Sequence, residues 1–452
     1  MQMIYRVFEL LAIPVGEFQV ISALGDLVAI DHAKTISRIQ AAGVLGEFSY
    51  DLAFPDSTDN GRMRVIYAPN GRGKTNLLRG IASMLTPTPE ALQTLIDIPI
   101  TSLKIDFYSG GWAQLVRDRA ELGSFEISVC LAPEGPIQTV HIDPADFAGR
   151  LYRRVWDERK EYVQFAKSMA ELSRGAVYIG DDRLALQMDD GHDSLRSDTG
   201  RLASRRRGAV SSLLQTVERM LTRAAIGGLS RGGSEAGVYE QITQTTLQGK
   251  TALTTTGARE ALEQQIDRLL SAGSPLQEYG LLNLRQVRNV ATQIRNTRAN
   301  SRQLPVIHQI LEPYFESLED QIEAMTTVHN LIDTYVTGVN KFLDRKSLRF
   351  TAADGISLVD RHGEPLDPES LSSGERHLIV LLSRAVLATA DESLLLIDEP
   401  EISLGIEWQR DLLPELLRCS RSSNVQFVVA SHSLQVMNAV ARETIIQPSE
   451  KA

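Results

Sequence analysis

Cysteine is nearly missing from this chain: only Cys130 and Cys419 occur in 452 residues, with no metal-ligand spacing. A disulfide framework is therefore not expected, and both thiols should be buried or reduced. Long apolar runs are missing too. None approaches the roughly 20 residues that cross a bilayer, so no membrane partner is expected. Met1 to Leu11 lacks the basic region and small-residue cleavage pattern of a secretory signal, which makes the cytoplasm the expected location. Aromatic residues are sparse, at 6%. The net charge of −10 argues against wholesale coating of nucleic acid, though not against a local basic patch. What remains is an ordinary folded composition, 43% hydrophobic and 23% charged.

Along the chain, residues 1–67 read as short strands and loops. Val65-Ile66-Tyr67 is a buried strand entering the glycine-rich run Ala68-Pro69-Asn70-Gly71-Arg72-Gly73-Lys74-Thr75. Helical spacing follows over Asn76 to Leu85 until Pro87 and Pro89 punctuate it. Strand-like segments 103–108 and 125–131, with Gly110-Gly111 between them, suggest a hairpin. From 144 to 346 the texture becomes long polar helices, interrupted by a core strand at 175–180 and by a loop signal at Gly227, Gly228, Gly232, Gly233 and Gly237. Ser347–Phe350 and Ile356–Val359 flank Asp354-Gly355, a hairpin signal. The closing third alternates helix and strand, which implies a parallel sheet.

The glycine-rich run has phosphate-loop chemistry. Gly71 and Gly73 let backbone N–H groups close around phosphate oxygens at a helix N-terminus. The adjoining Asn70, Arg72 and Asn76 complete the candidate nucleotide-binding set. Lys74 should reach the β- and γ-phosphates of ATP, and Thr75 should offer its hydroxyl to Mg²⁺. Ala68 stands where the first glycine is usual, which a negative φ would permit. Leu394 to Ile397, four large aliphatics, deliver Asp398 and Glu399 to a sheet edge beside that loop. Asp398 fits the Mg²⁺ shell, and Glu399 is the candidate base for the attacking water. His432, after the strand Gln426 to Ala430, can contact a γ-phosphate. Leu371-Ser372-Ser373-Gly374-Glu375 opens an apolar helix and makes a second anion site, or else an ordinary serine N-cap. Two phosphate cradles in one chain make sense if the second closes over nucleotide held by another copy.

Those four pieces, in that order, resemble the ABC-type ATPases in their soluble branch. Asp398-Glu399-Pro400-Glu401-Ile402-Ser403-Leu404, continuing to Trp408-Gln409, is similar to stand-alone ATPases of bacterial anti-phage defence. These include the ATPase components of the Septu and PARIS systems and the ATPase half of the OLD family. The resemblance implies an α/β fold: an ABC-type P-loop head with a mostly parallel central sheet, an antiparallel β subdomain and a long helical, coiled-coil-like insertion. The expected divisions are 1–143 (head, with the phosphate loop), 144–346 (insertion) and 347–452 (head, with signature, acidic strand and histidine). It further implies Ser372, Ser373, Gly374 and Glu375 as a signature acting in trans, Ser403 in a D-loop that meets a second copy, and Asp182 at the glutamine-loop position near the metal. Gly405 departs from the family's usual His or Asp, and Glu375 replaces the transporter glutamine.

The implied partners are a second copy in an ATP-bound dimer, with a hexamer allowed, a separately encoded effector such as a nuclease or toxin, and a phage-derived trigger. Only 20 residues follow His432, too few for the nuclease domain of OLD-type proteins. Nucleic acid is the rival partner. Residues 280–311 hold no acid and five arginines, Arg285, Arg288, Arg295, Arg298 and Arg302, at helical spacings that suggest one face. A second basic cluster lies at Arg201, Arg205, Arg206 and Arg207. A stripe of this kind can follow a phosphate backbone, dock an acidic protein or remain plain surface. The competing reading is thus a DNA-repair or chromosome-maintenance ATPase. The long helical insertion disfavours the ATPase of a transporter.

Overall fold

The computed structural model describes residues 32–55, 59–117, 122–147, 159–180, 208–231, 254–298, 301, 303–391, 394–421 and 423–450. They fall into two units: Ala29–Leu213 with Pro368–Ala452, and a second centred on Leu214–Asp367. Texture alone placed these divisions at 144 and 346. In the structure residues 159–180 belong to the first unit, and the 346–360 hairpin belongs to the second.

The strands, in chain order, begin with β1 (Ile36–Val44), β2 (Phe48–Ala53), β3 (Met63–Tyr67), β4 (Ser102–Phe107) and β5 (Trp112–Val116). Then come β6 (Phe125–Cys130), β7 (Ile137–Ile142), β8 (Ala176–Ile179), β9 (Lys346–Thr351) and β10 (Gly355–Asp360). The last four are β11 (Leu394–Asp398), β12 (Gln426–Ser431), β13 (Ile445–Ile446) and β14 (Ser449–Glu450).

In the first unit, β13-β3-β12-β11-β8 form a parallel sheet, and β14-β2-β1-β4-β5-β6-β7 form an antiparallel one. This is the expected α/β class. The inner parallel strands are buried on both faces because their residues are almost all aliphatic: every residue of β11 and β12 is buried. β8 is an edge strand rather than a central one, and only Ile179 in it is fully buried.

The helix Lys74–Leu85 packs Leu77, Leu78, Ile81 and Met84 into one core with Leu394, Leu396 and Val428 of the parallel sheet and Ile39 and Leu103 of the antiparallel sheet. A helix in such a sandwiched position must be apolar on more than one face. The next helix, Pro89–Asp97, starts at a Thr88 cap whose hydroxyl accepts from the Ala91 N–H, with Pro89 at its first turn. Gly110-Gly111 does form a turn, but it joins β4 to β5 (Trp112–Val116) rather than to the 125–131 segment. Cys130 and Cys419 are both buried free thiols, and burial pushes the Cys419 thiol up to about 12.

The second unit contains the long helices Thr255–Glu278, Arg285–Asn296 and Leu304–Asn340, the last of 37 residues. It also contains the β9–β10 hairpin, turned at Asp354-Gly355 as expected. Two features of this unit depart from the sequence pattern. Gly227 and Gly228 do not start a loop but lie inside the helix Ala209–Arg231. A Cβ on Gly228 would sit 2.4 Å from the Met325 sulfur. The glycine allows two helices to approach closely, which overrides its low helical propensity. The arginine stripe is not one helical face either. Its helix ends at Asn296, Arg298 lies beyond that end, and Arg302 and the 201–207 cluster lie outside the described residues. No described helix is long and apolar enough to cross a membrane.

Candidate nucleotide site

Because β3, β12 and β11 run parallel, their C-terminal ends share one edge of the sheet, where open α/β sheets bind ligands. The register pairs Tyr67 with Ser431 and Ala430 with Asp398. The glycine-rich loop leaves β3, Glu399 leaves β11 and His432 leaves β12, so three motifs remote in sequence converge by strand pairing alone.

In the loop, Gly71 and Gly73 have φ of 83° and 80°, the left-handed region that favours glycine. Ala68 is not among the residues with positive φ, which explains why alanine is tolerated there. A Cβ on Gly73 would lie 2.4 Å from Val44 Cγ1, whereas one on Gly71 meets nothing within 4 Å. Gly71→Ala should therefore cost on the order of 1 kcal/mol for the backbone alone, and Gly73→Ala more than that, measured by urea melts.

The Lys74 ammonium is buried and donates to the carbonyls of Ala68 (2.6 Å) and Pro69 (3.2 Å), curling the loop around itself. Among the described residues no side chain caps the Lys74–Leu85 helix, so its first N–H groups are left to other partners. Asn70 is exposed and Asn76 half-buried. Arg72 turns outward to pair with Glu450 and lies over the Phe48 ring, while the Tyr50 hydroxyl donates to the Arg72 carbonyl.

Thr75 Oγ1 donates to Asp398 Oδ2 at 2.5 Å. Tyr178 on β8 donates to the same oxygen at 3.3 Å. Burial and the Asp398 charge push the Tyr178 phenol up to about 12, so it stays a protonated donor at physiological pH. Two hard oxygens side by side at the mouth of the loop suit Mg²⁺, which takes one or two protein ligands and fills its shell with phosphate and water. Asp182 lies outside the described residues.

Glu399 has φ of 49°, uncommon for a side chain with a Cβ, and its N–H donates to the Ala430 carbonyl at 2.8 Å. That turn brings Glu399 Oε1 to 3.4 Å from His432 Nδ1. Ser403, also left-handed at 67°, is exposed.

The 371–375 segment opens the helix Ser373–Asp391. Ser372 is its N-cap: its hydroxyl accepts from the Glu375 N–H (3.3 Å), and its own N–H and O–H both lie 2.8 Å from Glu375 Oε2. This capping box engages the Ser372 hydroxyl within the chain. Ser373 remains exposed. Gly374 lies against Ser403, whose carbonyl oxygen would be 2.7 Å from an added Cβ. His377 Nε2 lies 3.0 Å from the Pro400 carbonyl, which joins this helix to the turn after β11.

Sequence reasoning gave no role to Tyr178, Glu401 or Gln409. Glu401 and Gln409 lay within a quoted motif, where a carboxylate three residues after Asp398 was a usable signal. Tyr178 could be found only through the pairing of β8 with β11.

A family profile described as "AAA domain, putative AbiEii toxin, Type IV TA system" matches residues 253–438, which include the signature, Asp398, Glu399 and His432. The molybdenum import ATP-binding protein ModC of Escherichia coli (strain K12) is 42% identical over 112 residues, 24% of this chain and 30% of that protein. Its Salmonella choleraesuis (strain SC-B67) counterpart is 43% identical over 79 residues, 18% of this chain and 22% of that protein. The chain thus spans less than a third of the length of these curated relatives. The Smc head domain from Pyrococcus furiosus, solved with an extended coiled coil and bound to the C-terminal domain of ScpA, superposes loosely. Its TM-score is 0.38 at 14% identity, over 92% of this chain and 96% of that one. The sequence matches support a P-loop ABC-type ATPase.

Proposed function

We propose that this chain binds ATP with Mg²⁺, hydrolyses it between two copies of itself, and uses that cycle to control a separately encoded effector in anti-phage defence. The observation that carries the ATPase part is the convergence of Lys74, the Thr75–Asp398 pair, Glu399 and His432 at one sheet edge. Loop N–H groups and the Lys74 ammonium hold the phosphate tail. Thr75 and Asp398 would hold Mg²⁺, which supplies positive charge to the phosphate oxygens. Glu399 accepts the proton of the attacking water, and His432 faces the γ-phosphate.

Dimer formation is supported by three exposed aliphatics near the switch turn, Ile402, Ile406 and Leu434. They are carried by two segments that Arg410 and Gln435 tie together at 2.8 Å. Apolar side chains grouped this way suit a second copy. Gly374→Ala should leave ATP binding within about threefold but lower turnover by at least ~10-fold, because the signature helix must shift off the Ser403 carbonyl. Equilibrium binding and steady-state hydrolysis together check this. The defence part is supported by the matching profile, which describes a putative AbiEii toxin of a Type IV TA system. Its test is phage challenge of cells carrying this gene with its genomic neighbour. Equal protection by the native chain and by Lys74→Ala would remove it.

A second reading, direct DNA binding in repair or chromosome maintenance, draws on Arg285, Arg288 and Arg295, which are exposed on an acid-free helix. It expects salt-dependent duplex binding whose log–log slope falls by about 0.9 for each phosphate contact removed on changing these arginines to alanine. Binding unchanged by the triple substitution would leave the arginines as plain surface.

A further inference from the structure

We infer that Glu401 is a positioning residue for His432: a fixed, buried carboxylate that sets the place and tautomer of the imidazole. The two carboxylates beside His432 differ in kind. Glu399 is 20% exposed, at the open end of the site, whereas Glu401 is only 4% exposed. One oxygen of Glu401 collects the whole switch turn. Its Oε1 accepts from Ser431 Oγ (2.7 Å), the His432 N–H (2.9 Å) and the Ser433 N–H (3.2 Å). The same oxygen lies 3.4 Å from His432 Nδ1.

Gln409 reinforces the tie from the same stretch of chain. Its Nε2 donates to the Leu404 carbonyl (3.0 Å), and its Oε1 accepts from Ser433 Oγ (2.7 Å). The strand ladder between β11 and β12 stops at Asp398 and Ala430. Beyond that point, the Glu399 N–H bond to the Ala430 carbonyl and these side chains carry the connection from the acidic turn to His432.

A purely structural staple would not need a charge. Burying a carboxylate is costly unless its lone pairs are satisfied, and a neutral amide could receive two N–H groups at lower cost. Among the described residues Glu401 Oε2 is buried with no hydrogen-bond partner, so half of the carboxylate's capacity goes unused by the turn. Oε1, the oxygen that gathers the turn, is also the one nearest Nδ1, and its charge favours a proton there, since the partner of one ring nitrogen decides which nitrogen carries the proton. With Nδ1–H directed at the carboxylates, Nε2 is left as an acceptor on the other side of the ring, and it donates to a phosphate oxygen only when it too carries a proton. The arrangement also frees Glu399: when that carboxylate turns toward water, the imidazole keeps Glu401 as its anchor.

The test uses the full chain with Glu401→Gln, Glu401→Ala, His432→Ala and the double variant Glu401→Ala/His432→Ala. Histidine ¹⁵N NMR on nucleotide-free protein, with the His432 signal assigned by its loss in His432→Ala, should show the Nδ1–H form in the native chain. In the Glu401 variants the Nδ1–H fraction should fall, with Glu399 left as the other acceptor at 3.4 Å. Turnover should fall by about 10–100-fold in Glu401→Ala while the ATP dissociation constant stays within about threefold, and the double variant should be no more than about twofold worse than His432→Ala alone. Unchanged His432 signals, or a full further loss of turnover in the His432→Ala background, would overturn the assignment. If Glu401→Ala fails to fold, Glu401→Gln carries the test. The kinetic arm rests on the ATPase reading; the NMR arm does not. Absence of turnover in the native chain would sink that reading while the NMR result still decided this one.

Discussion

Glu399→Gln should bind ATP as the native chain does and hydrolyse it about 10²–10⁴-fold more slowly, the span attributed to a positioned general base. The amide keeps the shape of the side chain and can still accept a hydrogen bond, but it cannot take a proton from water. The Glu399 backbone is held by its N–H bond to Ala430 and by the left-handed turn, neither of which involves the side chain, so folding should be unaffected. ATP should then accumulate unhydrolysed, and the nucleotide-bound dimer should outlive that of the native chain in gel filtration with ATP and Mg²⁺. Normal turnover in this variant would remove Glu399 as the base and direct attention to another carboxylate.

Lys74→Ala should act a step earlier and weaken binding. The ammonium is buried among loop carbonyls at 2.6 and 3.2 Å, with no carboxylate among those contacts, so its charge is available to an incoming polyphosphate. Removing a charge-assisted contact to phosphate from such a site should cost about 3 kcal/mol, or roughly 100-fold in affinity. Titration calorimetry would measure it. Thermal stability should change much less, because the helix behind the loop is held by Leu77, Leu78, Ile81 and Met84 in the core. Native affinity in Lys74→Ala would mean that nucleotide, if bound at all, sits elsewhere. The two variants separate binding from chemistry: one should load ATP poorly, the other should load it and stall.

The parts of the fold legible in the sequence were those whose local pattern has a single physical explanation. Continuous aliphatic runs such as Leu394–Ile397 and Phe427–Ala430 are tolerated only where a strand is covered on both faces. The helix after Lys74 announced itself by its spacing, and the β9–β10 hairpin by Asp354-Gly355. Local pattern failed where packing reassigned a residue. Gly228 reads as a loop former until Met325 is found pressed against it, and five regularly spaced arginines read as one stripe until the helix stops at Asn296. Trp112–Val116 carries no decisive strand signal, because five alternating residues cannot be told from an extended loop until β4 and β6 pair on either side.

Read residue by residue, the chain already holds the chemical vocabulary of the site: a glycine loop, a lysine, a threonine, two consecutive acids and a histidine, each at the end of an element that composition could place. Which of these meet is fixed by the fold. Thr75 and Asp398 are 323 positions apart and touch at 2.5 Å, while the adjacent acids Asp398 and Glu399 diverge, one to the hydroxyls of Thr75 and Tyr178 and the other to His432. The physical reason is that strand order and register are set by burial summed over the whole sheet. Spacing along the chain carries no information about that sum, so Tyr178 and Glu401 became visible only once β8, β11 and β12 lay side by side.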